Sequence, residues 1–156
     1  MKRTQGGVTL IEVLISLLVL GIGLLGAAAM QLNALKFTDS STLQSQASFI
    51  AYDMLDRIRA NPDASYKLDN LAAAPTANLT DVRAQDLADF AANVTAMGGA
   101  TAKGSIAING RLVTISITWD DSRAANAANS NNASDTANAA QTYTLVSRVA
   151  INTGIP

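Results

Sequence analysis

Apolar and polar positions are distributed very unevenly along this chain. From Val8 to Leu32 the sequence VTLIEVLISLLVLGIGLLGAAAMQL is almost wholly apolar. Between Arg3 and Lys36 its only charged side chain is Glu12, and the 23 residues Val13–Leu35 carry no charge. A helix of that length extends about 35 Å, enough to cross a bilayer core of about 30 Å. Past Leu32 the pattern becomes one-sided. Leu43, Ala47, Ile50, Met54 and Ile58 follow 4-3-4-4 spacing, a single stripe of a 3.6-period helix. Asp53/Arg57 and Asp56/Arg59 fall at i,i+4 and i,i+3 and are expected on its solvated side. Asn61-Pro62 ends the pattern, because the residue before a proline is pushed out of the helical region. The expectation is one helix of about 50 residues, apolar all round in its first half and amphipathic in its second. Heptads do not persist on either side of the stripe, which disfavours a coiled-coil dimer.

The remainder predicts a small mixed head. Residues 63–80 hold few apolar anchors and read as a loop over the surface. Val82, Leu87, Phe90, Val94 and Met97 predict a short helix over 81–97, stopped by Gly98-Gly99. Alternation then predicts strands over 104–109, 111–119 and 142–151. Ile106 and Ile108 mark the first, Val113, Ile115, Ile117 and Trp119 the second, and Tyr143, Leu145, Ser147, Val149 and Ile151 the third. Asn109-Gly110 predicts a two-residue hairpin turn between the first two. The Ala/Asn/Ser stretch from Asp121 to Gln141 has no apolar period and reads as a flexible insertion. The fold class is α+β: a long N-terminal helix with its hydrophobic half protruding, and a small antiparallel sheet head packed on its amphipathic half.

Composition narrows the chemistry. The formal charge is -1, and loss of a leader holding Lys2 and Arg3 takes it to -3, so a nucleic-acid partner is not expected. With no cysteine and no histidine there is no thiolate nucleophile, no disulfide framework and no imidazole base. No cofactor, metal or catalytic residue is expected. Asp120-Asp121 is the only carboxylate pair in the sheet region, and a solvated hairpin end, with Arg123 able to pair, explains it more simply than Ca²⁺ or acid–base work. Trp119 is expected in the core or at a subunit interface. The Asn-x-Ser/Thr patterns at Asn78, Asn93 and Asn132 are treated as chance in an Asn-rich chain.

Glu12 decides between readings of the N-terminus. The basic residues Lys2 and Arg3 predict that this end stays cytoplasmic while the rest is exported. Ala27-Ala28-Ala29 resembles a secretory cleavage site, and a permanent anchor would show the same apolar run. Neither has a use for a carboxylate inside that run, which costs roughly 2.5–3.5 kcal/mol at the bilayer centre and less near its edge. The stretch Gly7-Val8-Thr9-Leu10-Ile11-Glu12-Val13 resembles the cleavage and methylation motif of type IV prepilins. The resemblance implies a leader of residues 1–7 removed by prepilin peptidase between Gly7 and Val8, and N-methylation of Val8. It also implies that Glu12, fifth from Val8, meets the amino terminus of a neighbouring subunit and sets its register. The chain departs from the usual pattern at Val8, where phenylalanine or methionine is commoner, and in lacking the anchor proline many major pilins carry near Ala29. Gly21, Gly23 and Gly26 fall in that zone instead.

Further along, the helix end Asp56–Pro62, the Gly-Gly before the hairpin, and Ile117-Thr118-Trp119-Asp120-Asp121-Ser122-Arg123 resemble the type IV pilus modification protein PilV family of minor pilins. That resemblance implies residues 8–32 as transmembrane and filament-core helix, 33–61 as the amphipathic continuation, and 62–156 as the head. It implies a single-pass inner-membrane protein with a periplasmic head that later joins the pilus on the cell surface. There it would help to initiate assembly with other minor pilins and the major pilin, in or near the tip. A minor pseudopilin of a type II secretion system, or a membrane-anchored periplasmic binding module, would begin with a similar apolar helix.

Overall fold

A computed structural model describes residues 9–122, 124 and 139–150. Helix α1 runs Leu10–Ala60, 51 residues and about 75 Å. Thr9 caps its start and Asn61, ahead of Pro62, its end, where the Asn61 N–H bonds the Arg57 carbonyl. A 3-10 turn at Leu71–Ala73 leads to helix α2, Val82–Gly98. The Asp81 carboxylate accepts from the Ala84 N–H at α2's start, and Gly99 at φ 76° ends it, a left-handed conformation that needs no side chain. Strands β1 (Lys103–Asn109), β2 (Leu112–Asp120) and β3 (Ala140–Arg148) form one antiparallel sheet in the order β1-β2-β3.

The β1–β2 hairpin differs by one residue from its sequence expectation. Asn109 pairs with Leu112, so the two-residue loop is Gly110-Arg111 rather than Asn109-Gly110. Only Gly110 of the pair has positive φ, 57°, the pattern of a II′ turn with glycine first. Asn109 remains extended because its backbone completes the last rung of the ladder.

The core lies between the second half of α1, α2 and one face of the sheet. Ala47, Ala51, Met54, Leu55 and Ile58 of α1 meet Leu87, Phe90 and Val94 of α2, and Ile106, Val113, Ile115, Ile117 and Trp119 of the sheet. Two more core side chains come from the segment read as surface loop. Tyr66 is fully buried and Leu68 nearly so. Leu68 and Ile106 exchange both backbone hydrogen bonds, at 2.9 and 2.7 Å, so this segment is strapped to the edge of β1 and is not a surface excursion. Its hydrophobic residues are single and spaced by polar ones, which is why no period announces it. The strap is tight at Gly104: a Cβ there would sit 2.6 Å from Leu71 Cδ2 and 3.1 Å from the Phe90 ring.

Candidate assembly interface

Leu10 to Leu35 is a helical stretch with none of the described residues burying it. None of these residues is buried, and Leu10, Leu18, Leu25, Met30 and Leu35 are each well over half exposed. By length and composition α1 is apolar enough to cross a membrane, and its most apolar stretch is unburied. A Cβ added at Gly21, Gly23 or Gly26 would meet nothing within 4 Å, so these glycines are open notches along the exposed helix. Large apolar side chains each gain about 1.5–3 kcal/mol on leaving water, so this stretch requires lipid or other helices around it.

Glu12 lies in the first turn of this helix and is exposed. The Thr9 hydroxyl and carbonyl both accept from its N–H, at 3.3 and 3.0 Å, and the Ser16 hydroxyl donates to its carbonyl at 2.7 Å. Thr9-x-x-Glu12 thus has the spacing of a capping box, a relation the sequence shows but periodicity does not reveal. A carboxylate here also faces the positive end of the helix dipole. The first turn therefore holds Glu12 in place at the extreme end of the apolar surface, where an amino group from outside the chain can reach it. Gly7 and Val8, the expected cleavage and methylation positions, lie outside the described residues.

The second half of α1 is fastened to the head by a polar knot. The Arg57 guanidinium donates to Asp53 (2.9 Å), Asp86 (2.8 Å) and Asp89 (3.1 Å). The Tyr66 hydroxyl donates to the other oxygen of Asp86 at 2.7 Å and accepts from Asn61 at 3.2 Å. Asp86 is nearly buried yet has two strong donors, so its charge is satisfied. Hydrogen bonding to Asp86 raises the Arg57 pKa above its already high value, outweighing the opposing effect of burial. Burial first, then the hydrogen bond to Asp86, pushes the Tyr66 hydroxyl up. Arg57 is therefore not simply on a solvated face: its partners on α2 lie 29 and 32 residues further along the chain.

A second tie sits higher on the helix. Asp121 is buried and accepts from the Ser40 hydroxyl of α1, while Asp120 is exposed and accepts from the Ser122 N–H. The expectation of a solvated pair is corrected for Asp121, because adjacent residues at a strand end face opposite ways; Arg123 and most of the Ala/Asn/Ser stretch lie outside the described residues. No group of three or more potential metal ligands converges among the described residues. Trp119 is in the core, its indole N–H without a partner among the described residues.

Comparison with known proteins adds two family matches. The prokaryotic N-terminal methylation motif matches residues 2–28, and the type IV pilin Tt1218 family matches residues 29–97. No curated protein and no solved structure matches the chain. The first match covers Glu12 and most of the exposed apolar helix, and the second continues from Ala29 through α2. Set on a long helix packed by a three-stranded antiparallel sheet, the chain thus carries the N-terminal methylation motif over residues 2–28 and is similar to the type IV pilin Tt1218 family over residues 29–97.

Proposed function

We propose that this chain is a type IV pilin and a minor subunit of the PilV kind, which helps to initiate pilus assembly and is incorporated in or near the tip. In this reading prepilin peptidase cuts between Gly7 and Val8, and the Val8 amino group is methylated. Residues 8–32 hold the protein in the inner membrane with its head in the periplasm. The same residues are then extracted to pack against other minor pilins and the major pilin. The role is structural, and no step needs a catalytic residue or cofactor of the chain.

The observation that carries the reading is Glu12: one carboxylate on the otherwise uncharged, unburied stretch Leu10–Leu35 of α1, in its first turn. A buried charge is stable only opposite its counter-charge, so a Glu12–amino terminus pair favours one stagger between neighbours over all others. Mass spectrometry of the mature N-terminus tests the processing. The expected chain starts at methylated Val8; an intact Gly7–Val8 bond, or a start after Ala29, overturns it. A clean deletion is expected to reduce surface pili and twitching while pilin synthesis continues. Normal piliation would overturn the priming role, and loss of protein secretion in its place would mark a pseudopilin.

A further inference from the structure

The sheet has two edges, and the chain treats them differently. The edge of β1 is strapped by the Leu68–Ile106 bridge. The outer edge of β3 has no partner among the described residues. Natural sheets blunt such edges with charges, prolines, bulges or very short strands. β3 carries one charge, Arg148 at its very end; it pairs with β2 without interruption over nine residues, and from Ala140 to Ser147 it holds no charge, proline or glycine. Thr142, Tyr143, Thr144 and Val146 are residues that favour extended structure, and Val146 is 55% exposed. The edge also continues into the free flank of α1. There the Arg59 guanidinium donates to the Ser147 hydroxyl at 3.2 Å, and Tyr52, half exposed, lies against Tyr143.

We infer that the outer edge of β3 accepts an extended segment of a different pilus subunit as a fourth strand, an interaction held by main-chain hydrogen bonds. A second copy of this chain does not fit. Antiparallel pairing of β3 with its own copy requires a twofold axis perpendicular to the sheet. Because α1 packs flat on the sheet, that rotation reverses it, and the two anchors would point in opposite directions, incompatible with one membrane or one filament. Moving a copy sideways without rotation presents its β1 edge, which Leu68 already occupies at Ile106, in the middle of the strand. The inference rests on the reading that this pilin assembles beside unlike pilins.

Photo-crosslinking in the full-length protein, expressed in its own host, tests it. A benzophenone amino acid is placed singly at Thr144 or Val146 on β3, at Ala107 on β1, and at Ile15 on the apolar helix. The expected result is an adduct from Ile15 and from both β3 positions but not from Ala107. The β3 adduct should map to an extended segment of another subunit bearing an N-terminal methylation motif. Val146→Lys, which places a charge on the edge, should lower the Thr144 adduct roughly ten-fold without shifting the thermal midpoint of the head. Adducts from Ile15 alone overturn the edge proposal and leave assembly standing. Adducts from no position overturn both. A β3 adduct with a second copy, or equal yields from Ala107 and Thr144, also overturns the edge proposal.

Discussion

The two halves of α1 are one continuous helix with opposite relations to the rest of the chain. Up to Leu35 no residue of it is buried; from Ala47 onward five are. The second half is finished by its own chain, through the apolar stripe under the sheet and the knot around Arg57. The first half is left open by the described residues. Between them lies a hydroxyl-rich collar: Thr38, Ser41, Thr42 and Ser45 each donate to the carbonyl four residues earlier. Such back-bonding hides the polarity of the side chains while slightly weakening the helix. The collar therefore marks the boundary at which solvation by lipid or neighbours gives way to packing by the head. Helical propensity does not distinguish the halves; what surrounds each one does.

The sharpest way to break the comparison is at Glu12. On the proposed pairing, replacing it with alanine would leave a neighbour's buried amino terminus without its counter-charge, a cost of roughly 3 kcal/mol or more. Incorporation into surface pili should fall about a hundred-fold on that figure, measured by quantifying the subunit in sheared filaments. The circular dichroism and thermal midpoint of the head should not change, because Glu12 is exposed at the far end of α1 from the buried core residues. A parallel loss of head stability would show that the two halves are coupled.

The same substitution made in each half sharpens the contrast next. Leu55 is 1% exposed and Leu18 is 64% exposed. Leu55→Ala should destabilise the head by about 2–5 kcal/mol, from lost burial and the cavity left behind. Leu18→Ala should leave the thermal midpoint in detergent within error. Equal effects would mean that the first half packs on the head.

Arg57 comes third, and it separates what the sequence displays from what it hides. The expectation of a solvated Asp53–Arg57 pair rests on spacing along one helix. The partners that matter, Asp86 and Asp89, are set by how α2 folds back, which no local pattern encodes. Arg57→Ala strips nearly buried Asp86 of one donor and should cost about 2 kcal/mol in denaturant titration, since the side chain is a third exposed and partly screened. Asp53→Ala, at an exposed partner, should cost under about 0.5 kcal/mol. By contrast the α+β class was legible because the sheet is solvated on one face, so Val113, Ile115, Ile117 and Trp119 alternate with Thr114, Ser116 and Thr118. Glu12 stood out because a charge is rare in an apolar run. Tyr66 and Leu68 were illegible for the converse reason: each fills the core alone from an irregular segment. The buried role of Asp121 was equally hidden, since its partner Ser40 is 81 residues away.

A further expected effect, smaller than that of Arg57→Ala, lies where the knot meets that irregular segment, and it is a matter of pH. The Tyr66 hydroxyl has its pKa raised by burial and by the Asp86 carboxylate it donates to. A raised value in the folded state means that folding favours the protonated phenol. Its stabilising contribution is therefore fully present below the ordinary tyrosine value of about 10 and is lost as pH rises through the higher folded value. Tyr143, raised by burial and then by Tyr52 beside it, adds to the same alkaline loss. Chemical denaturation between pH 8 and 11 should show stability declining above about pH 10. Tyr66→Phe should cost about 1 kcal/mol at neutral pH, by removing one donor from Asp86, and should flatten most of that decline. If the alkaline slope survives the substitution unchanged, the titrating group is Tyr143, and Tyr143→Phe is the variant that should remove it.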